Sequence, residues 1–375
     1  VYILGPSTPT DQFKQEILVE MTIPLLQPSV TRAEIDAVAG VLRSRWWGQG
    51  PVVKQFEQEL AARYGYKYCV TTNSATAALH LSLKVLNVGP GDEVIVPGLT
   101  FVSTGLAPLY VGAVPVIADV CPDTLCLDWK CVADLVTDKT RAIIPVDYAG
   151  RTAANTTNLP FKRTNIAIVQ DAAHSCGGIG YGDLVCLSFH PVKCLAMGDG
   201  GAILLNDSEW ANRLRALRWC GIDRSTWERV EKKYSWDYDI QEVGYKYHLN
   251  DIQAAIGLAQ LHRLQELNLR RREIATRYLK ELKGIVTLPV DHPQHTWHLF
   301  PIRVKNRDEL VDHLLANGIS AGVHYKPLTH YPMFDGDIPV TEREWKRLVS
   351  LPIFYDLTNE QQSKVIEVVG SAAEQ

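Results

Sequence analysis

The sequence predicts an α/β protein: a large domain with a mostly parallel sheet sandwiched by helices, then a smaller C-terminal α+β domain. Three observations carry this reading. The chain has 375 residues, too many for one small core and well suited to two associated domains. Between residues 69 and 205, short and continuously apolar runs alternate with helix-length segments, as expected of strands buried on both faces. After about residue 270 the pattern changes to helix, strand and helix in close succession. The expected segments are an N-terminal extension or expression remnant at 1–21, a large domain over 22–265 and a small domain over 266–375. Residues 1–20 are unlike the rest, and Met21-Thr22-Ile23-Pro24 reads as a natural start.

The elements follow in order. Val52, Phe56, Leu60 and Ala61 make one helical face, Cys69–Thr72 a strand, and Thr76–Leu86 a second helix. Further strands are expected at Val94–Val96, Val114–Val120, Ala142–Val146, Ile166–Val169, Leu184–Leu187 and Ala202–Leu205. Asn250 is placed as the N-cap of a long helix with Ile252, Ala255, Ile256, Ala259 and Leu264 on one face. Beyond it lie a strand at Leu299–Val304, a helix at Arg307–Ala316 and a terminal helix opened by a Thr358/Gln361 capping box.

Composition narrows the function. Hydrophobic content of 46% with 21% charged residues is ordinary for a soluble enzyme. A net charge of −4 argues against a nucleic-acid binder, and Arg270-Arg271-Arg272 reads as a solvated helix face. No apolar run approaches the roughly 20 residues that span a bilayer, and the N-terminus lacks the apolar core of a signal peptide. None of the eight cysteines forms a CxxC pair, so buried free thiols in a reducing cytoplasm explain them better than disulfides or a metal.

Ligands of open parallel sheets gather beyond the carboxyl ends of the strands, and three features lie there. Ile166–Val169 runs into Gln170-Asp171-Ala172-Ala173-His174. A carboxylate in that position either caps a turn or meets a cation, since burial alone is costly. Leu184–Leu187 runs into Ser188-Phe189-His190-Pro191-Val192-Lys193, with Gly198-Asp199-Gly200-Gly201 following. Asn73-Ser74-Ala75-Thr76-Ala77 joins a strand to a helix whose free N–H groups suit an anion. A lysine, an anionic partner and a phosphate cup are the needs of pyridoxal phosphate (PLP).

With these motifs the chain resembles the sugar aminotransferases of the DegT/DnrJ/EryC1/StrS type, within PLP-dependent transferase fold type I, over about residues 22–375. The resemblance implies Lys193 as the Schiff-base lysine, Asp171 as partner of the pyridine nitrogen and His174 near the phenolic oxygen. It implies Ser188, Ser74 and the amides of Ala75 and Thr76 at the phosphate, and Phe101 stacked on the ring. Gly244-Tyr245-Lys246-Tyr247-His248-Leu249-Asn250 is similar to a segment reaching the partner subunit's cofactor phosphate, which gives Lys246 that role, although many members carry Asn there. Gly322-Val323-His324-Tyr325-Lys326-Pro327 resembles a loop near the sugar nucleotide, so His324 and Tyr325 become substrate candidates. His190 joins them; His324 could instead be a hydrogen-bonded loop residue. Ser44-Arg45-Trp46-Trp47-Gly48-Gln49-Gly50-Pro51 aligns with a substrate-mouth loop, yet paired tryptophans equally suit a subunit interface. Gln170 stands where an acid is common, and Ala75 where glycine is common.

The implied activity is transamination from an amino acid, L-glutamate, to a nucleotide-linked keto-sugar, with C4 favoured over C3. The cofactor would cycle between PLP and pyridoxamine phosphate in a cytoplasmic homodimer with shared sites. The alternatives are amination of a cyclitol ketone, or a non-catalytic sensor of PLP or a sugar nucleotide.

Overall fold

The structure, a computed structural model, describes residues 23–154, 166–222 and 238–373. The N-terminal extension read from residues 1–20 lies outside these. All seven predicted strands up to residue 205 join one sheet. They are β1 (Tyr68–Thr72), β2 (Glu93–Pro97), β3 (Val114–Ala118), β4 (Thr140–Ile143), β5 (Ala167–Asp171), β6 (Leu184–Ser188) and β7 (Gly201–Leu205). Their spatial order is β1-β7-β6-β5-β4-β2-β3. Strand β7 runs antiparallel to both its neighbours, and the remaining pairs are parallel. The carboxyl ends of β1, β2, β5 and β6 therefore share one edge with the start of β7.

Helices α1 (Arg32–Ser44), α2 (Pro51–Tyr64), α3 (Ala75–Val85), α4 (Val102–Tyr110), α5 (Trp129–Leu135), α6 (Ser208–Leu217) and α7 (Asp251–Glu281) flank this sheet. Side chains alternate along each strand, so the sheet feeds two cores. Val70, Cys186 and Ile203 pack with Leu79, Leu83 and Leu214 on one face. Cys69, Val185, Leu187 and Leu204 pack with Phe56, Leu60, Leu261 and Leu264 on the other. All eight cysteines are free, and five of them, Cys69, Cys126, Cys176, Cys186 and Cys194, are buried.

Two predicted strands end early for physical reasons. The Ala142–Val146 run stops pairing regularly after Ile143, because Pro145 offers no N–H to the ladder. The Val114–Val120 run stops at Ala118, where Asp119 turns out to bind the amides of Val340 and Thr341 at 2.7 and 2.8 Å. Those amides open helix α9 (Pro339–Trp345), which the Asp119 carboxylate thereby caps.

The C-terminal part holds β8 (Phe300–Arg303) antiparallel to β9 (Leu348–Leu351), with α8 (Arg307–Ala316) and α10 (Asn359–Ala373). Trp297, Phe300, Ile302, Leu314, Val349 and Val365 form its core together with Tyr278 of α7. Ile23 packs here too and bridges to Ile319. The expected N-cap of α7 is present: Asn250 Oδ1 accepts from the Gln253 amide at 2.9 Å. The Thr358/Gln361 capping box is also formed, at 3.0 and 3.1 Å. Among the described residues no helix is long and apolar enough to cross a membrane.

Candidate active site

Strand ends assemble the site. Asp171 is the last residue of β5 and is buried. Its Oδ2 accepts from Thr104 Oγ1 at 2.8 Å and its Oδ1 from the Ala173 amide at 3.1 Å. Thr104 is in turn 2.7 Å from Thr100 Oγ1, four residues earlier in chain order. Burial pushes the Asp171 carboxyl up, against the pull of those hydrogen bonds and of the Lys193 charge. Lys193 lies in the loop after β6, where burial pushes its amine down to about 8 despite the attraction of Asp171. Neither charge is comfortable alone, and a cationic ring nitrogen beside Asp171 would relieve the carboxylate.

His174 follows Asp171 by three residues, in the turn after β5, and is held from both sides. Its Nδ1 accepts from the Ala149 amide at 3.2 Å, so the proton of the neutral ring sits on Nε2. That N–H faces the Tyr325 hydroxyl at 2.9 Å. Burial, with the Lys193 charge beside it, pushes the imidazole well below its ordinary range, so it stays neutral. Tyr325 is itself buried enough to remain a phenol, and its ring meets Phe101 edge-on at 5.7 Å. Phe101 is 55% exposed at the N-terminus of α4, an open aromatic face at the mouth of the crevice.

The cup forms because β7 joins two strand ends. Gly201 pairs in register with Thr72 of β1 and with Ser188 of β6. A Cβ on Gly201 would lie 2.5 Å from the Ser74 carbonyl and 2.7 Å from the Ala75 amide nitrogen, so only glycine lets the turn close here. Ser74 N-caps α3 by accepting from the Ala77 amide at 3.1 Å. The amides of Ala75 and Thr76 open the first turn, where a helix supplies no internal acceptor. The Thr76 hydroxyl is tied to Ser103 at 2.7 Å, and Ser188 contributes a mostly buried hydroxyl from the adjacent strand end.

The remaining candidates separate. His324 enters the site, with Nδ1 2.9 Å from Ser350 Oγ and its carbonyl accepting from the Tyr148 hydroxyl. Burial, then the nearby Lys193 charge, pushes its ring down to about 4. His190 is exposed, and its carbonyl accepts from the Lys193 amide at 2.9 Å, tightening the lysine loop. Lys246 is not at its own chain's cup. The Tyr247 carbonyl accepts from the Asn73 amide at 2.6 Å, while the exposed Lys246 ammonium lies over Trp219, 3.4 Å from the ring centroid. Trp46 and Trp47 belong to the same face as Lys246, lining a cavity of about 300 Å³ with Trp219 and His248. Sequence reasoning missed Thr104, Tyr148 and His298. The only sequence signal for Thr104 was its spacing four residues after Thr100, which lies just before α4.

These residues suit PLP: a buried carboxylate, a buried amine, a glycine-cleared cradle at a helix N-terminus and an exposed aromatic face. Comparison with known proteins agrees. Residues 28–370 match the DegT/DnrJ/EryC1/StrS aminotransferase family. The spore coat polysaccharide biosynthesis protein SpsC of Bacillus subtilis is 36% identical, over 92% of this chain and 96% of its own. The putative sugar aminotransferase Spr1654 of Streptococcus pneumoniae, solved in PMP and PLP forms, superposes on this chain with TM-scores of 0.87 and 0.85. Identities are 31% and 32%, over 94% of this chain and 99% and 98% of that one. The aminotransferase TlmJ of Streptoalloteichus hindustanus gives 0.87 at 31% identity, covering 94% of this chain and 100% of that one. A strand-end lysine and aspartate flanking a phosphate cradle, in a chain matched along nearly its whole length, place this protein in the DegT/DnrJ/EryC1/StrS aminotransferase family as a PLP-dependent aminotransferase.

Proposed function

We propose that this enzyme carries an amino group from L-glutamate to a nucleotide-linked keto-sugar, at C4 in preference to C3. The observation that carries the reading is the convergence of Lys193, Asp171 and the Ser74–Thr76 cradle on one sheet edge, with Phe101 open at its mouth. Sugar acceptors are supported by relatives named for polysaccharide biosynthesis and for sugar amination. PLP, when bound, supplies an aldehyde that captures amines and a ring that delocalises the electrons of a broken C–H bond.

The chain's residues do the rest. Lys193 Nζ would bear the cofactor at rest and, once freed, would be the amine that moves a proton off and onto carbon. Its lowered pKa keeps a useful share of neutral amine near neutral pH. Asp171 holds the proton on the ring nitrogen, with Thr104 and the Ala173 amide fixing the carboxylate plane. His174, with its proton confined to Nε2, orients Tyr325 and the groups beside the ring. The amides of Ala75 and Thr76, with Ser74 and Ser188, would anchor its phosphate, and Phe101 would lie against its ring. His324, Tyr325 and His190 border the acceptor. In a homodimer, Lys246 of one copy meets the cofactor phosphate of the other as a point charge.

The test has two stages. L-glutamate should bleach the visible band of the holoenzyme and release 2-oxoglutarate. The bleached enzyme should then aminate a nucleotide-linked 4-keto-hexose, read by mass spectrometry. Product only from the 3-keto isomer would overturn the C4 preference. Product only from a cyclitol ketone would overturn the acceptor class, and no bleaching would overturn glutamate.

A further inference from the structure

His298 touches the lysine, yet no motif pointed to it. It sits in an apolar stretch, Trp297-His298-Leu299-Phe300, and is 1% exposed. Its Nε2 lies 3.4 Å from Lys193 Nζ, and its ring is 4.4 Å from that of His174 at 54°. The backbone is bent to place it there. Trp297 has φ of 53°, a left-handed conformation that a bulky residue adopts only under constraint. The bend sends Trp297 into the C-terminal core and His298 toward the lysine. Clamps flank the bend: the Thr296 amide donates to the Gly150 carbonyl at 3.0 Å and the Leu299 amide to the Ala149 carbonyl at 3.2 Å. Ala149 is also left-handed, with φ of 58°.

The two histidines differ at Nδ1. In His174 that atom accepts a backbone N–H, which confines the ring proton to Nε2. In His298 it is buried and has no hydrogen-bond partner among the described residues. Nothing on Nδ1 therefore selects a tautomer, and the His298 proton can sit on either nitrogen.

We propose that His298 is a positioning residue for the freed Lys193 amine, its Nε2 accepting from the ammonium and donating to the neutral amine. Two tautomers of one ring serve both states of a group that must gain and lose a proton in each catalytic cycle. The other groups facing Lys193 cannot take this part. Asp171 acts on it only through charge, and His174 is locked by Ala149. His324 is committed to Ser350, and Tyr325 to His174. Cys194 and, behind His298, Arg271 complete the charged or titratable surroundings. Burial, together with the Lys193 charge, keeps His298 neutral, as the exchange of tautomers requires.

The inference rests on Lys193 as the cofactor-bearing lysine, and the test separates the two. Cofactor-free enzyme is mixed with PLP, and the rate of appearance of the visible band is followed against pH. Lys193→Ala should give no band; a band there would sink the lysine assignment itself. His298→Phe should keep its melting temperature, shift the apparent pKa of capture to lower pH and cut the plateau rate on the order of tenfold, because the amine is no longer oriented. His298→Gln, whose amide can also accept and donate, should restore most of that rate. A His298→Phe profile superimposable on wild type would overturn the proposal. So would a folded His298→Gln no better than His298→Phe, and that second arm stands even if the phenylalanine variant does not fold.

Discussion

Lys193 is a buried amine before it is a catalyst, and its burial has a thermodynamic consequence. Its pKa falls from 10.5 to about 8 because desolvation outweighs Asp171. Between those values the unfolded chain holds a proton that the folded chain has released. Stability of the cofactor-free enzyme therefore rises with pH across that window, and the full penalty applies below it. The ceiling on that penalty is about 3 kcal/mol. Lys193→Met should thus stabilise the cofactor-free protein at pH 7, by less than the ceiling because the buried Asp171 carboxyl loses its cation. The gain should shrink toward pH 10. Denaturant melts at the two pH values decide it, and a loss of stability at pH 7 would mean that the crevice favours the ammonium. Lys193, Asp171 and His174 were legible because each ends or follows a recognisable apolar strand. Thr104 and His298 were not, since each looks like an ordinary residue of its own segment and gains meaning only from a neighbour distant in sequence. Gln170 shows the same limit. Its amide donates to the buried Asp147 carboxylate at 2.7 Å, and its carbonyl oxygen accepts from the Tyr181 amide at 2.9 Å. An acid in its place would set a second carboxylate against Asp147, whose carboxyl burial already pushes up to about 6.

Elements are joined here by a few buried polar contacts as well as by apolar faces. Glu57 of α2 accepts from Arg218, just beyond α6, at 2.5 Å, and from the Thr71 amide in β1 at 2.8 Å. Arg218 also donates to the Thr71 carbonyl at 2.9 Å. Both charged side chains are largely out of water. Glu57→Gln should destabilise the enzyme by about 3–5 kcal/mol, because it leaves a buried guanidinium uncompensated. A loss below about 1 kcal/mol in equilibrium unfolding would instead mean that water in the adjoining 630 Å³ cavity already solvates the arginine. Asp251 makes a second such joint by accepting from the amides of Gly50, Val52 and Val53 at 2.9, 3.2 and 3.0 Å, so α7 caps α2. The seven strands of the large sheet and five helices, α2, α3, α7, α8 and α10, were readable from periodicity and caps, which are local signals. Helix α1 went unread although Thr31 and Glu34 form a capping box, a signal that stands in the sequence. The joints were not readable, because Glu57 and Arg218 are 161 residues apart.

At the scale of the molecule, α7 threads both halves: Leu261 and Leu264 sit in the sheet's core, and Ile274 and Tyr278 in the C-terminal one. The crevice lies between them, with Lys193 and Asp171 from the sheet and His298, His324 and Tyr325 from the C-terminal part. The Lys246 segment runs beside the cup through the Asn73–Tyr247 hydrogen bond, yet Lys246 lies on the Trp219 face with Trp46 and Trp47 close by. A side chain beside a cup but turned from it is well placed to serve a second copy, which is the shared-site homodimer proposed above. That proposal makes a prediction about mixtures. Lys193→Ala and Lys246→Ala enzymes should each be poorly active. When the two are co-expressed, each mixed dimer carries one site with both defects and one with neither. Random pairing then restores about a quarter of wild-type activity per dimer, as two-fold symmetry requires. Activity no greater than the sum of the separate mutants would place Lys246 in its own chain's site or in none. Wild-type activity of Lys246→Ala alone would remove it from the reaction, and the Trp219 face would then be an interface without a catalytic share.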